Sequence, residues 1–389
     1  MSRMETEGDS SMTNFDVAVV GLGAVGSLIA RDLAEAGYSV AGFERATALH
    51  PTAAYAGDSR LFRVAYHEGP EYVDALLYSR QEWSRLDRMS GANVFLRNGV
   101  ASIGAESSDE MRGVLDSVDE FSLPHTRLNG DEISTWLPQL KDTADDIAII
   151  DELGGVLRPE LAVWLFQDAA RRAGAALFDR TPVDAIEEGP DRVRIVAGDE
   201  EWSASQVIVT SGVWTKDLVP AVSSLLDIRP IPLLWFLTDP EYDFSTGTFP
   251  GFIRDKNGQH VYGLPSLDGM TMKAGSGHGR EPIDNAALLP DRLDQATVEE
   301  SAETICGFLN GLSSYPIRSS IHMDVYTSDS RPIIDKASPR VTVSTGYSGH
   351  GFKLTPAWAR ASIDVALERE PRFSLHNYRI DRFAKVGDA

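Results

Sequence analysis

Cysteine is all but missing from this chain: Cys306 stands alone among 389 residues. That excludes an internal disulfide framework and any multi-cysteine zinc site, and it fits a reducing compartment; no metal is expected. Long apolar runs are missing too. No stretch of about 18 uncharged apolar residues occurs, which excludes a membrane-spanning helix, and residues 1–12 (MSRMETEGDSSM) lack the basic start and apolar stretch of a secretory signal. The protein is therefore expected to be cytoplasmic, with 1–12 as a disordered tail. Positive charge is short, 36 Lys and Arg against 58 Asp and Glu, for a formal net charge of -22. Such a surface repels nucleic acid and anionic lipid, so neither is expected as a partner. Lysine is the scarcest cation, confined to Lys141, Lys216, Lys256, Lys273, Lys336, Lys353 and Lys385. An anionic substrate would need local cations to overcome the overall field, so the place of each lysine is informative. What remains, 42% hydrophobic and 24% charged residues, is ordinary globular composition with enough apolar mass for one or two domains.

Along the chain, the apolar run Asp16 to Val20 leads into Gly21-Leu22-Gly23-Ala24-Val25-Gly26. A helical repeat of Val25, Leu28, Ile29, Leu33 and Ala36 follows, with Gly37 as its expected C-cap, and then a second apolar run, Tyr38 to Phe43, ending in Glu44. This reads as strand, glycine turn, helix, strand. Further expectations are a helix from about Glu71 to Leu86, mixed and more strand-like chain between Val94 and Ile150, and a helix from Arg158 to Ala173. Strands are expected at Pro182 to Ile186, Val193 to Val196 and in SQVIVTSGVW (Ser205 to Trp214), and an antiparallel sheet across Arg229 to Lys273. The spacing predicts a helix over Ala302 to Leu312, then a last strand, a glycine loop (YSGHGFK) and a helix near Pro356 capped by Thr355. The fold class expected is α/β: a discontinuous Rossmann-like nucleotide-binding domain (13–93, 151–228 and 322–385) with a mainly antiparallel-sheet substrate domain (94–150 and 229–321).

The first glycine turn carries chemistry. Gly21 permits the tight turn, Gly23 lets backbone approach a pyrophosphate, and Gly26 lets helix pack on strand; the helix N-terminus at Ala24 and Val25 then favours the anion. Glu44, 18 residues after Gly26, is spaced to accept hydrogen bonds from an adenosine ribose. A carboxylate there disfavours a 2′-phosphate, so FAD or NAD is expected and NADP is not. The motif cannot choose between the two.

Four longer blocks choose. GDSRLFRVAYHEG (Gly57 to Gly69), VTSGVWTKDLVP (Val209 to Pro220), VYGLPSLDGMTMKAG (Val261 to Gly275) and GYSGHGFKLTP (Gly346 to Pro356) occur in the order of one family. From about Phe15 to Phe383 the chain resembles the monomeric sarcosine oxidase and N-methyltryptophan oxidase family, within the D-amino-acid oxidase group of flavoproteins. The resemblance implies FAD, with contacts from Arg45, Ser59, Arg60, Val183, Ser211, Gly212, Trp214, Gly349, His350, Gly351, Phe352 and Lys353. It implies oxidation of the C–N bond of a small, N-methylated or cyclic amino acid to an imine, with dioxygen reduced to hydrogen peroxide. A flavin-dependent dehydrogenase feeding a quinone or carrier is the alternative. A monomer or small homo-oligomer is expected.

Arg60 and Arg63 stand three apart, so in a helical turn both guanidiniums would face the same way; bare sequence leaves them equally readable as surface arginines. The resemblance puts Arg60 beside the flavin and makes Arg63 and Lys353 a clamp for the substrate carboxylate, which a guanidinium can hold through two parallel hydrogen bonds. Lys273 alternates with Met272 and Ala274 and could simply point to solvent; by resemblance it is the dioxygen-activating lysine. Tyr262 and Tyr326 resemble residues of the substrate pocket, with plain core as the other reading.

The chain also departs from the family. A cysteine bonds the flavin there, two residues before a Tyr-Thr pair; here Tyr326-Thr327 are preceded at that place by Asp324. The FAD is therefore expected to be non-covalent. Cys306, spaced with Ile305, Phe308 and Leu309, reads as a buried helix residue. The family histidine ahead of the Gly-Asp element is Ala56, and another aligns with Gly277. His278, one place on, is a candidate substrate-binding residue in its stead, a surface-loop histidine being the alternative. The pocket is expected to differ in shape from that of the sarcosine enzymes.

Overall fold

The computed structural model describes residues 13–277 and 281–383. Thr13–Val20 sits centrally in an eight-stranded sheet, parallel to Val40–Phe43 on one side and to Glu200–Val209 on the other; Ala176–Phe178 continues the sheet beyond Val40–Phe43. Residues 17–20 and all of Val40–Phe43 are buried, the continuous apolar pattern of a parallel sheet covered on both faces. Helices Ala24–Glu35, Pro159–Arg172 and Thr355–Ala366 pack together through Leu28, Ile29, Leu33, Phe166 and Trp358. A second cluster joins Phe43 to Phe178 and Trp202, with ring centroids 5.3 and 4.9 Å apart. The long strand Glu200–Val209 changes partner along one edge. Its first half pairs antiparallel with Val193–Ala197 and its last residues pair parallel with Val341–Thr345, so chain from three distant regions builds one sheet.

The second eight-stranded sheet runs Arg318–Tyr326, Asp227–Leu237, Thr271–Ser276, Gln259–Leu264, Gly251–Lys256, Val100–Gly104, Ile147–Asp151, His125–Asn129. Every pairing is antiparallel except that of Gly251–Lys256 with Val100–Gly104. Its side chains alternate with period two. Leu234, Phe236, Phe252, Met272 and Ala274 pack with Ile305 and Phe308 of helix Gln295–Phe308, whereas Ile231, Leu233, Ile253, Tyr262 and Lys273 face a cavity. This sheet extends through 147–151 and 318–326, across the domain limits expected from sequence.

Four local expectations need correction. Arg60–Phe62 is a strand, paired with Gly155–Leu157, so Arg60 and Arg63 share no helical turn. The helix expected at Ala302 to Leu312 is Gln295–Phe308, started by the Asp294 carboxylate accepting from Thr297 N at 2.9 Å, and Leu309 is already extended. Thr355 is the first residue of its helix, with Leu354 at the cap and no side-chain capping bond. Helices Asp109–Phe121 and Gly130–Trp136 occupy chain read as strand-like; Ser108 and a capping box at Asn129 and Glu132 start them. The expected tail 1–12 lies outside the described residues, and so does His278.

Candidate active site

A cavity of about 1100 Å³ reaches from the first glycine turn to Lys273 and the second sheet. At the turn, three glycines do three jobs. A Cβ on Gly21, whose φ is +97°, would come 2.6 Å from Ser211 Cα, and one on Gly26 would lie 2.0 Å from the Gly21 carbonyl oxygen. One on Gly23 would meet nothing within 4 Å. Gly21 and Gly26 are thus required by the protein's own packing, and Gly26 does not line the cavity. The open side of Gly23 faces empty space at a helix N-terminus, the cradle a pyrophosphate needs. Glu44 is buried and accepts from Leu22 N at 3.1 Å and Ala46 N at 3.0 Å. Arg45 lies over the Trp214 ring at 3.4 Å. Ala24, Val25, Val183, Ser211 and Gly212 line the same end. These residues fit an FAD.

The loop 53–59 forms the next wall, held by side chains from four elements. Arg60 donates to the carbonyls of Ser59, Ala54 and Ala56 at 2.8, 2.9 and 2.6 Å. Lys273 Nζ donates to Gly57 O at 2.8 Å and also to Ser59 O. Glu160 accepts from Gly57 N and Asp58 N, and the His322 ring meets Ala53 O at 3.1 Å. Gly57 (φ 114°) and Asp58 (φ 67°) both hold left-handed conformations, so the bend is sustained by these bonds. Burial, reinforced by Arg60, pushes the Lys273 pKa well below its usual value. Burial also lowers the pKa of Arg60 and raises that of Tyr262.

Arg63 and Lys353 meet around a carboxylate that sequence reading missed. Arg63 Nη2 donates to both oxygens of Glu68 at 3.0 Å, and Nη1 donates to His67 Nδ1 at 2.8 Å, while Nε is buried without a partner. Lys353 Nζ donates to Tyr66 Oη at 2.9 Å. That oxygen lies 2.9 Å from His350 Nδ1, which is itself 3.1 Å from Glu68. His350 Nε2 is buried and unpartnered. Burial would raise the Glu68 pKa, but Arg63, His67 and His350 outweigh it and hold the carboxyl well below its usual range. Burial lowers Lys353 to about 8, with Glu68 opposing and Arg63 adding to the shift. It lowers His67 to about 3, with Arg63 adding to the shift and Glu68 opposing it. Asp151 fixes the approach of Arg63: its buried carboxylate accepts from Val64 N, and from Ala65 N at 3.1 Å.

Gly349, Gly351 and Phe352 carry the cavity wall on to Lys353. The fully buried Trp83 stacks on Phe352 with centroids 5.4 Å apart and donates to Lys353 O at 2.9 Å, which fixes that backbone. Asp324 lines the wall beside this loop, accepting from Val325 N at 2.8 Å and Gly349 N at 2.9 Å. Burial raises its pKa against those bonds. Cys306 sits away from the cavity, its Sγ 3.6 Å from Ser313 O. Apart from Gly26 and the undescribed His278, every residue proposed from sequence lines this one cavity, Tyr262, Tyr326 and Ser59 included. Glu68, His67 and Tyr66 were missed although they lie inside the quoted block; their spacings of five, four and three from Arg63 have no meaning until the chain turns back after the strand.

A family model, "FAD dependent oxidoreductase", matches residues 16–364. The N-methyl-L-tryptophan oxidase of Salmonella arizonae is 30% identical over 380 residues, covering 95% of this chain and 100% of that protein. The monomeric sarcosine oxidase of Streptomyces avermitilis is 30% identical over 364 residues, 91% of this chain and 94% of that one. Among solved structures, NikD, described as an unusual amino acid oxidase essential for nikkomycin biosynthesis, superposes with a TM-score of 0.82 at 18% identity, over 94% of this chain and 97% of its own. The sequence match over nearly the whole chain, on a glycine cradle that fits a dinucleotide, places this protein in the family of FAD-dependent oxidoreductases that includes the sarcosine and N-methyltryptophan oxidases.

Proposed function

We propose that this enzyme oxidises the C–N bond of a small amino acid, using FAD held without a covalent link and dioxygen as electron acceptor. The observation that carries this reading is the convergence of Arg63, Lys353 and Lys273 on the one cavity that begins at the Gly21–Gly23 turn. Bound there, FAD would supply the two-electron acceptor for this oxidation and the path by which those electrons reach dioxygen, giving hydrogen peroxide.

Gly21, Gly23 and Glu44 would hold the dinucleotide end, and Gly349 to Phe352 would line the ring. Arg63 and Lys353 bind the substrate carboxylate. The unpartnered Nε–H of Arg63 offers a further donor for it, and Glu68 then yields part of its hold on Arg63. Fixing the acid end makes the reacting carbon's approach effectively intramolecular. Tyr262 and Tyr326 wall the substrate in. Lys273, held by two carbonyls and acidified by burial, is placed to stabilise the charge dioxygen acquires and to give up a proton to it.

A non-covalent flavin is supported by Asp324 at the place of the family's linking cysteine and by the distance of Cys306 from the cavity. The test is Lys273→Met. Substrate should still bleach the yellow flavin in the absence of air, while reoxidation by dioxygen slows by about a hundredfold or more, the scale of losing one preorganised donor. Unchanged reoxidation would remove Lys273 from this role.

A further inference from the structure

Arg229 is a further cation on the cavity wall. It lies on strand Asp227–Leu237, directly across the sheet from Asp324, and its guanidinium rests over the Tyr326 ring at 4.9 Å. Its Nε is buried with no hydrogen-bond partner, and no carboxylate of the described residues pairs with it. Asp324 makes no ion pair with it; its two oxygens accept from the amides of Val325 and Gly349. The other cavity guanidiniums differ. Arg60 is tied to carbonyls, Arg63 to Glu68 and Arg331 to Glu71, and Arg45 lies at the dinucleotide end. Leaving a half-buried guanidinium without an anion costs free energy that a ligand carboxylate would recover.

The place of Arg229 says which anion. Tyr326 Oη would lie 3.5 Å from a Cβ on Gly349, and Gly349 opens the loop that carries Lys353. Arg229 is thus separated by one tyrosine ring from the loop of the carboxylate clamp. We propose that Arg229, stacked on Tyr326, is a second carboxylate subsite, so that the preferred substrate is an amino acid whose side chain or N-substituent ends in another carboxylate. This rests on the amine-oxidation reading above. In a protein of net charge -22, a second carboxylate gains from a second local cation.

The test uses the FAD-loaded enzyme without air, following flavin bleaching by N-methyl-L-glutamate and by its uncharged isostere N-methyl-L-glutamine. The parent should reach half-saturation at a concentration about tenfold or more lower for the acid. Arg229→Gln should erase that preference by raising half-saturation for the acid alone, with limiting rates changed by less than about twofold and FAD content equal to the parent's. Arg229→Lys should keep part of the preference, since it keeps the charge and loses the fork. Equal half-saturation for the two compounds in the parent would overturn the subsite, as would an equal shift for both in Arg229→Gln. Loss of FAD from that variant would overturn it by assigning Arg229 to the cofactor. Bleaching by the amide but not selectively by the acid leaves amine oxidation standing; bleaching by no amino acid at all removes both.

Discussion

At the scale of single residues, the site is governed by how far burial shifts its cations. The Lys353 ammonium is held between Tyr66 and the field of Glu68, and burial has brought its pKa to about 8. Because the folded value is lowered, the charge is present below about pH 8 and lost as pH rises through it. A carboxylate ligand stabilises the charged form and moves the midpoint upward. Propionate, which carries no amine to titrate, should therefore bind the FAD-loaded enzyme with constant affinity below about pH 7 and progressively more weakly above about pH 8, by up to about tenfold per unit. Lys353→Met should bind it weakly at every pH. Spectral titration of the flavin reads both, and a parent profile that stays flat to about pH 10 would take Lys353 out of the clamp.

At the scale of elements, the glycine turn separates cofactor binding from folding. Gly23→Ala adds a methyl that touches no protein atom, so the FAD-free protein should melt within a few degrees of the parent while affinity for FAD falls by about tenfold or more. Gly26→Ala drives a methyl into the Gly21 carbonyl and the Thr210 hydroxyl and should destabilise the FAD-free protein itself, by about 1–3 kcal/mol. Calorimetry of the two FAD-free variants decides; equal melting losses would contradict the division of roles. This turn was legible from sequence because strand, turn and helix are local and each glycine answers a local need. Lys273 was legible only as half of an alternating pattern. Met272 and Ala274 show that it faces away from the core, but whether that means solvent or cavity depends on the strand lying next to Asp227–Leu237 and opposite loop 53–59, which no local signal states. The Arg60 and Arg63 pair misled for the same reason: spacing of three suits a helix, and only pairing with Gly155–Leu157, almost a hundred positions on, makes the segment a strand.

At the scale of the whole molecule, two sheets assembled from interleaved segments line one long cavity. No helix among the described residues is long and apolar enough to cross a membrane. With Asp324 at the cavity wall and the sole cysteine packed elsewhere, unfolding should free the flavin completely. Acid precipitation is expected to leave all yellow colour in the supernatant, and colour retained by the pellet would contradict non-covalent binding. Recognition of the substrate through its carboxylate is tested most directly by mixing the FAD-loaded enzyme, without air, with N-methyl-L-amino acids and with the matching N-methylamines that lack the carboxylate. Bleaching of the flavin band by at least one of the acids is expected to be about a hundredfold or more faster than by its amine counterpart. A band left unchanged by every amino acid, or bleached equally by acid and amine, would contradict it.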